Sequence, residues 1–125
     1  GSFAGRDERR WLDAVADCHP YAKMMRQATA AFVVCVIKEV MAKDIFYQQD
    51  LGAAVQNILL AAAECGLGSC WCGIHPRKEL EDEFVKLLGM PDSIFPFALI
   101  ALGHPAASAP PSDRYDASRV QHNAW

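Results

Sequence analysis

The sequence predicts one domain of the α/β or α+β class, in which helical and extended segments alternate along the chain. Three observations carry this expectation. A hydrophobic content of 52% argues for a packed core and against disorder. Several stretches place apolar residues at spacings of three and four, as amphipathic helices do. Between them lie short continuous apolar runs of the kind that form buried strands. A length of 125 residues suits a single domain and is too short for two.

Arg6 to Cys18 reads as a helix, with Trp11, Leu12, Val15 and Ala16 on its apolar side. His19-Pro20 interrupts it, because a proline disfavours helical geometry in the residue before it. A short helical stretch follows through Tyr21, Met24 and Met25. Ala30 to Ile37 is continuously apolar and rich in β-branched residues, which predicts a strand buried on both faces; a buried helical segment is the alternative. Tyr47 to Cys65 is the clearest helix, with Leu51, Ala54, Val55, Ile58, Leu59 and Ala62 on one stripe and Gly66 as its stop.

Gly68 to Ile74 reads as a short strand or extended turn. Pro76 is suited to open the next helix at its first position. Leu80, Phe84, Leu87 and Leu88 form that helix's apolar face, Glu79, Glu81, Asp82 and Glu83 its solvated face, and Gly89 its end. Phe97 to Leu102 reads as a second buried strand, closed by Gly103-His104-Pro105. Ala106 to Asp113 is small, Pro-rich and loop-like. The tail from Arg114 to Trp125 carries Tyr115, Val120 and Trp125, which need a surface to pack on; a partner subunit would supply one.

The balance of 12 basic and 15 acidic residues, net −3, leaves no basic face for nucleic acid. Lys38, Gln56 and Asn57 break the apolar runs before they could span a membrane. Gly1-Ser2 reads as a cloning remnant rather than the start of a signal peptide. The five cysteines, an odd number scattered through apolar segments, fit reduced thiols in the cytoplasm.

Cys65, Cys70, Cys72 and His75 are candidate metal ligands by type, but their spacing departs from that of structural zinc sites, and buried free thiols are the plainer reading. Cys72 with His75 or His104 is a candidate nucleophile and base that no local signature supports. Gly66-Leu67-Gly68 follows a helix rather than a strand, so it reads as a helix stop and not as a phosphate loop. Arg114 and Arg119 could each meet a phosphate, since a guanidinium fork matches its oxygens, or could be solvated.

Taken in order, several segments resemble the nitroreductase family. They are His19-Pro20-Tyr21-Ala22-Lys23-Met24, the helix from Asp50 to Ala63, Gly66-Leu67-Gly68-Ser69-Cys70-Trp71-Cys72-Gly73-Ile74, Leu88-Gly89-Met90-Pro91, and Pro96 to Pro105. The tail adds Arg114-Tyr115-Asp116, Arg119-Val120 and Asn123 to Trp125. The resemblance covers nearly the whole chain. It implies an α+β fold with a mixed sheet sandwiched by helices, and an intertwined homodimer in which residues 106–125 form a C-terminal arm on the partner subunit. It also implies FMN at the dimer interface, cycling between NAD(P)H and an acceptor such as a nitroaromatic or a quinone. Trp71, Cys72 and Gly73 match the segment bordering the flavin near its reactive nitrogen, where backbone N–H groups meet the ring. Arg114 matches a basic position near the FMN phosphate. No catalytic side chain is implied, because the hydride chemistry belongs to the cofactor.

The chain departs from the family pattern in two places. No Arg-x-Ser-x-Arg segment precedes Arg6, and Ser112-Asp113 stands where many relatives carry a lysine before the arginine. Two charge-assisted phosphate contacts at ~1.5–3 kcal/mol each form a large part of a micromolar affinity. A second reading follows: a shortened, FMN-deficient dimer acting as a binding module.

Overall fold

The computed structural model describes residues 5–125, and Gly1-Ser2 lies outside them. The β-branched run Ala30–Ile37 forms strand β1, Gly68–Gly73 forms β2, and Ile94–Gly103 forms β3. Their order is β1-β3-β2, and both pairs are antiparallel. The mixed sheet implied by the resemblance is therefore replaced, among the described residues, by an antiparallel one, because β3 runs back against both of its neighbours.

The central place of β3 gives it two covered faces, and Pro96 to Leu102 are all buried. Leu99 and Ala101 enter one cluster with Leu12, Val15, Met25, Ile74 and Phe84. Ala98 and Ile100 enter the other with Val36, Val55 and Phe97. Strand β1, expected to be buried on both faces, is an edge strand instead. Phe32 is 51% and Ile37 55% exposed, since β1 lies at the edge of the sheet among the described residues, where its faces are less completely covered than those of the central β3.

Helix α1 (Gly5–Cys18), the 3₁₀ turn Lys23–Arg26 and helix α4 (Lys78–Leu88) cover one face of the sheet. A short helix α2 (Lys38–Met41) follows β1 directly, and the sequence pattern does not announce it. Helix α3 (Tyr47–Glu64) covers the other face through Leu51, Val55, Ile58 and Leu59. The sheet is thus sandwiched by helices, as the family resemblance implies. The glycine stops after α3 and α4 hold: Gly66 and Gly89 adopt φ of 74° and 60°, which a side chain would disfavour.

Two expectations for α4 change. Pro76 does not open the helix; Arg77 is extended, its N–H donates to the Ile74 carbonyl at 2.9 Å, and the helix starts at Lys78. Glu81 is not solvated with its acidic neighbours, because it is turned onto His75 and only 8% exposed. The tail is exposed along the single chain, with Tyr115 74% exposed and Trp125 fully so.

Phe84 is fully buried where α4 meets the first cluster. Phe84→Ala is expected to cost about 3–5 kcal/mol of unfolding free energy by urea denaturation. A loss below ~1 kcal/mol would contradict its place in the core.

Candidate functional site

The candidate segment Trp71-Cys72-Gly73 lies on β2, whose one strand neighbour among the described residues is β3. In an antiparallel pair, alternate residues turn both backbone groups toward the partner. The N–H of Ile74 donates to the Phe97 carbonyl at 3.2 Å, which sets the alternation. Cys70 and Cys72 turn their backbone groups to β3, while Trp71 and Gly73 turn theirs to the open edge. The Gly73 carbonyl confirms this direction, since it accepts from His19 Nε2 at 2.8 Å.

His19 is 2% exposed and is itself held at both nitrogens. The Tyr21 N–H donates to Nδ1 at 3.1 Å, so Nε2 carries the proton given to Gly73. His19 was legible only as the residue before Pro20; its contact to Gly73 bridges two segments far apart in sequence.

The side chains alternate as well. Cys72 points into the cluster beneath α1 and α4 and is 5% exposed. Burial first, and then the neighbouring Cys70 thiol, push the Cys72 thiol up to about 11. Trp71 points to the opposite face, leans toward Gly52 of α3, and is 41% exposed. A side chain built at Gly73 would meet no atom of the described residues within 4 Å. Trp71, Gly73, His75 and Phe97 line an open recess of about 400 Å³.

His75 sits where β2 turns toward α4. Its ring stacks on Phe97 at 5.9 Å between centroids and lies against Phe95 at 5.3 Å. Nδ1 contacts Glu81 Oε1 at 2.6 Å, with 17% and 11% of the two side chains exposed. Nε2 lies 3.4 Å from the Tyr47 hydroxyl and 3.3 Å from Gln48 Nε2. Sequence reasoning considered His75 only as a metal ligand or as a base for Cys72. Its partnership with Glu81 follows the six-residue step from β2 into α4, for which periodicity offers no signal.

The remaining candidates do not join this recess. Among the described residues, no group of three or more His, Cys, Asp or Glu side chains could hold a metal ion. Cys65 is exposed at the end of α3, and Cys72 and His75 belong to opposite faces of the sheet. Arg119 pairs with Asp116 at 3.2 Å in the tail, where bonds from Ser118 hold the Asp116 carboxyl below its usual range. Arg114 is exposed in the same tail.

The profile of the Nitroreductase family matches residues 4–104. A protein of Methanothermobacter thermautotrophicus named NADH dehydrogenase/NAD(P)H nitroreductase is 33% identical, over 95% of this chain and 68% of its own length. A crystal structure from Bacteroides thetaiotaomicron with the same name superposes with a TM-score of 0.84 at 36% identity, covering 94% of this chain and 68% of that one. A nitroreductase from Desulfovibrio desulfuricans, solved in complex with FMN, superposes with a TM-score of 0.71 at 31% identity, over 92% and 66%.

The geometry separates the thiols. Burial, together with the Glu83 carboxylate, pushes the Cys18 thiol up to about 12, so Cys18 and Cys72 stay protonated at neutral pH. Iodoacetamide at pH 7.5 is expected to label the exposed Cys65 and Cys70 at least tenfold faster than Cys72, as read by peptide mass spectrometry. Labelling of Cys72 should accelerate as pH rises toward about 11. Equal rates at neutral pH would contradict the inward orientation of Cys72.

Proposed function

The chain belongs to the nitroreductase family, and from that premise we propose that it is an FMN-dependent oxidoreductase passing electrons from NAD(P)H to a nitroaromatic, quinone or similar acceptor. The observation that carries this reading is the open edge at Gly73. Its φ is not in the left-handed region, and among the described residues the space around it is free, so neither backbone strain nor packing against them calls for glycine there. Close approach of a flat ligand to the backbone does.

The residues present fit the ring of such a ligand. The outward N–H groups of Trp71 and Gly73 suit the polar edge of a flavin, and the Trp71 face offers an apolar wall. The recess of about 400 Å³ lies within the ~300–1,000 Å³ of small-molecule sites. Cys72 contributes backbone to this segment, while its thiol is turned into the core. Bound FMN supplies two-electron chemistry between a nicotinamide and an acceptor, and the protein supplies orientation and electrostatics. His19 holds the Gly73 carbonyl and so limits how far the edge can shift.

The phosphate grip in this reading falls to Arg114, carried on the 106–125 arm of a homodimer. The half-exposed apolar residues Phe32, Ile37 and Leu60 and the unpacked Trp125 support association with a second copy. The free thiols suit a reducing compartment such as the cytoplasm. The exposed position of Arg114 favours the second reading, a dimeric binding module without FMN, if no flavin is taken up.

Flavin fluorescence quenching should show FMN uptake by the chain and at least a tenfold weaker affinity in Gly73→Val, with an unchanged melting midpoint. Unchanged FMN affinity in that variant would sink the placement of the ring at Gly73. Light scattering is expected to give twice the chain mass, reduced to the monomer when residues 106–125 are removed. A monomeric full chain at micromolar concentration would remove both the dimer and the role of the arm.

A further inference from the structure

We infer that His75 is the proton donor to the reduced acceptor, with Glu81 as its positioning residue. This rests on the redox reading above and adds to it a side chain with a chemical role. The observations are the shared recess, the division of labour between the two imidazole nitrogens, and the burial of the carboxylate behind the ring.

His75 lines the same recess as Trp71 and Gly73. Its Nδ1 is committed to Glu81 at 2.6 Å, which makes that nitrogen the donor in the neutral ring and fixes the tautomer. Nε2 is left to exchange protons. Its neighbours are the half-exposed Tyr47 hydroxyl and the amide of the exposed Gln48, at 3.4 and 3.3 Å, long contacts that are readily given up. Gln48 Nε2 also donates to the Tyr47 hydroxyl at 3.1 Å, so a polar path runs from Nε2 to solvent.

Filling this corner does not require such a pair. The ring is packed against Phe95 and Phe97, a place that phenylalanine would fill. Burying a carboxylate carries a desolvation cost, and an apolar pair of similar volume is often as stable or more so. An imidazole oriented by a buried carboxylate is a recurrent arrangement for moving protons.

The reaction calls for one such transfer. Reducing a quinone to a quinol takes two electrons and two protons. With FMN bound, a hydride equivalent originating in NAD(P)H would bring both electrons and one proton. The second comes from His75 as the imidazolium, protonated at both nitrogens beside the Glu81 carboxylate: its Nε2–H bond breaks as an O–H bond forms on the acceptor, the neutral ring keeps its proton on Nδ1, and a solvent proton returns to Nε2 by way of the Tyr47 hydroxyl. Ferricyanide takes one electron and no proton, so its reduction bypasses this step.

The test compares a benzoquinone with ferricyanide as acceptor for the FMN-loaded full chain and its variants H75F and E81Q. H75F is expected to lower quinone turnover on the order of 10²-fold more than ferricyanide turnover, in the range of general acid catalysis. E81Q should lower that ratio less, and added imidazole should restore part of the quinone rate in H75F. Independently of turnover, ¹⁵N NMR of the chain without FMN should report the Nδ1–H tautomer at His75 and a tautomer mixture in E81Q.

Parallel loss of both activities would overturn the inference, since it would mark His75 as a support for the flavin. So would an unchanged quinone-to-ferricyanide ratio in H75F, or an Nε2–H tautomer in the native chain. A native chain that takes up FMN and NAD(P)H yet reduces neither acceptor would instead overturn the redox reading, and the inference with it.

Discussion

The site depends on one carbonyl. Val34 pairs with Ala98 and Cys35 with Pro96, so Phe97 is left over as a bulge in β3. Its carbonyl accepts from the N–H of Ile74 at 3.2 Å and of His75 at 2.9 Å. The double acceptance ends the regular pairing of β2 and turns the chain toward α4. The extra residue also shifts the alternation of side chains, so that Phe95, Phe97, Ala98 and Ile100 all serve the α3-side cluster. The two phenylalanines that clasp His75 reach it for this reason. Pro96 fits the same geometry, because a buried strand accepts a residue without an N–H where the ladder is already interrupted.

Two histidines then fix the edge from opposite sides. His19 approaches from the α1 side and holds the Gly73 carbonyl through a proton fixed on Nε2. His75 approaches from the α3 side and is held by Glu81 through Nδ1. Both buried rings have their polar atoms satisfied, and among the described residues no buried side-chain nitrogen or oxygen lacks a partner. Networks of this kind stabilise little on average but penalise alternative arrangements, because each breakage strands a buried polar atom. A short segment of an edge strand, ordinarily free to fray, is thereby held between two polar anchors.

Features set by local sequence were the legible ones. The α3 stripe from Leu51 to Ala62 and the stops at Gly66 and Gly89 follow from helical period and from glycine's freedom at positive φ, and they stand where the sequence puts them. The inward turn of Cys72 follows from the two-residue period once β2 is a strand. Features decided by distant partners were not legible. Burial of β1 depends on its place in the strand order, which a continuous apolar run does not encode. Glu81 resembles its solvated neighbours in sequence, and only the placement of His75 removes it from water. Pro96 was the one local sign of the bulge. Trp71 and Gly73 could be located as a segment, whereas their outward amides emerge only from the bond between Ile74 and Phe97. Arg114 lies on an arm whose packing a single chain does not determine.

Among the described residues the sheet has two open edges of different character, and the difference bears on what each is for. Strand β1 exposes large apolar side chains, Phe32 and Ile37, along its edge. Such an edge is a hazard unless something covers it, and it carries no chemistry beyond apolar contact and backbone pairing. The edge of β2 is shorter. It ends in a residue with no side chain, is bordered by a tryptophan on one face, and lies next to an imidazole with a fixed tautomer. Aggregation pressure would favour blocking this edge with charge or bulk, yet Gly73 leaves it open and the histidines hold it still. An edge that is both open and immobilised suits a ligand that must be met by backbone amides in one position, whereas β1 suits a protein surface. On the proposed reading, the flavin ring meets the β2 edge and its phosphate meets Arg114 on the 106–125 arm of the homodimer, so the cofactor depends on both the immobilised edge and the second copy.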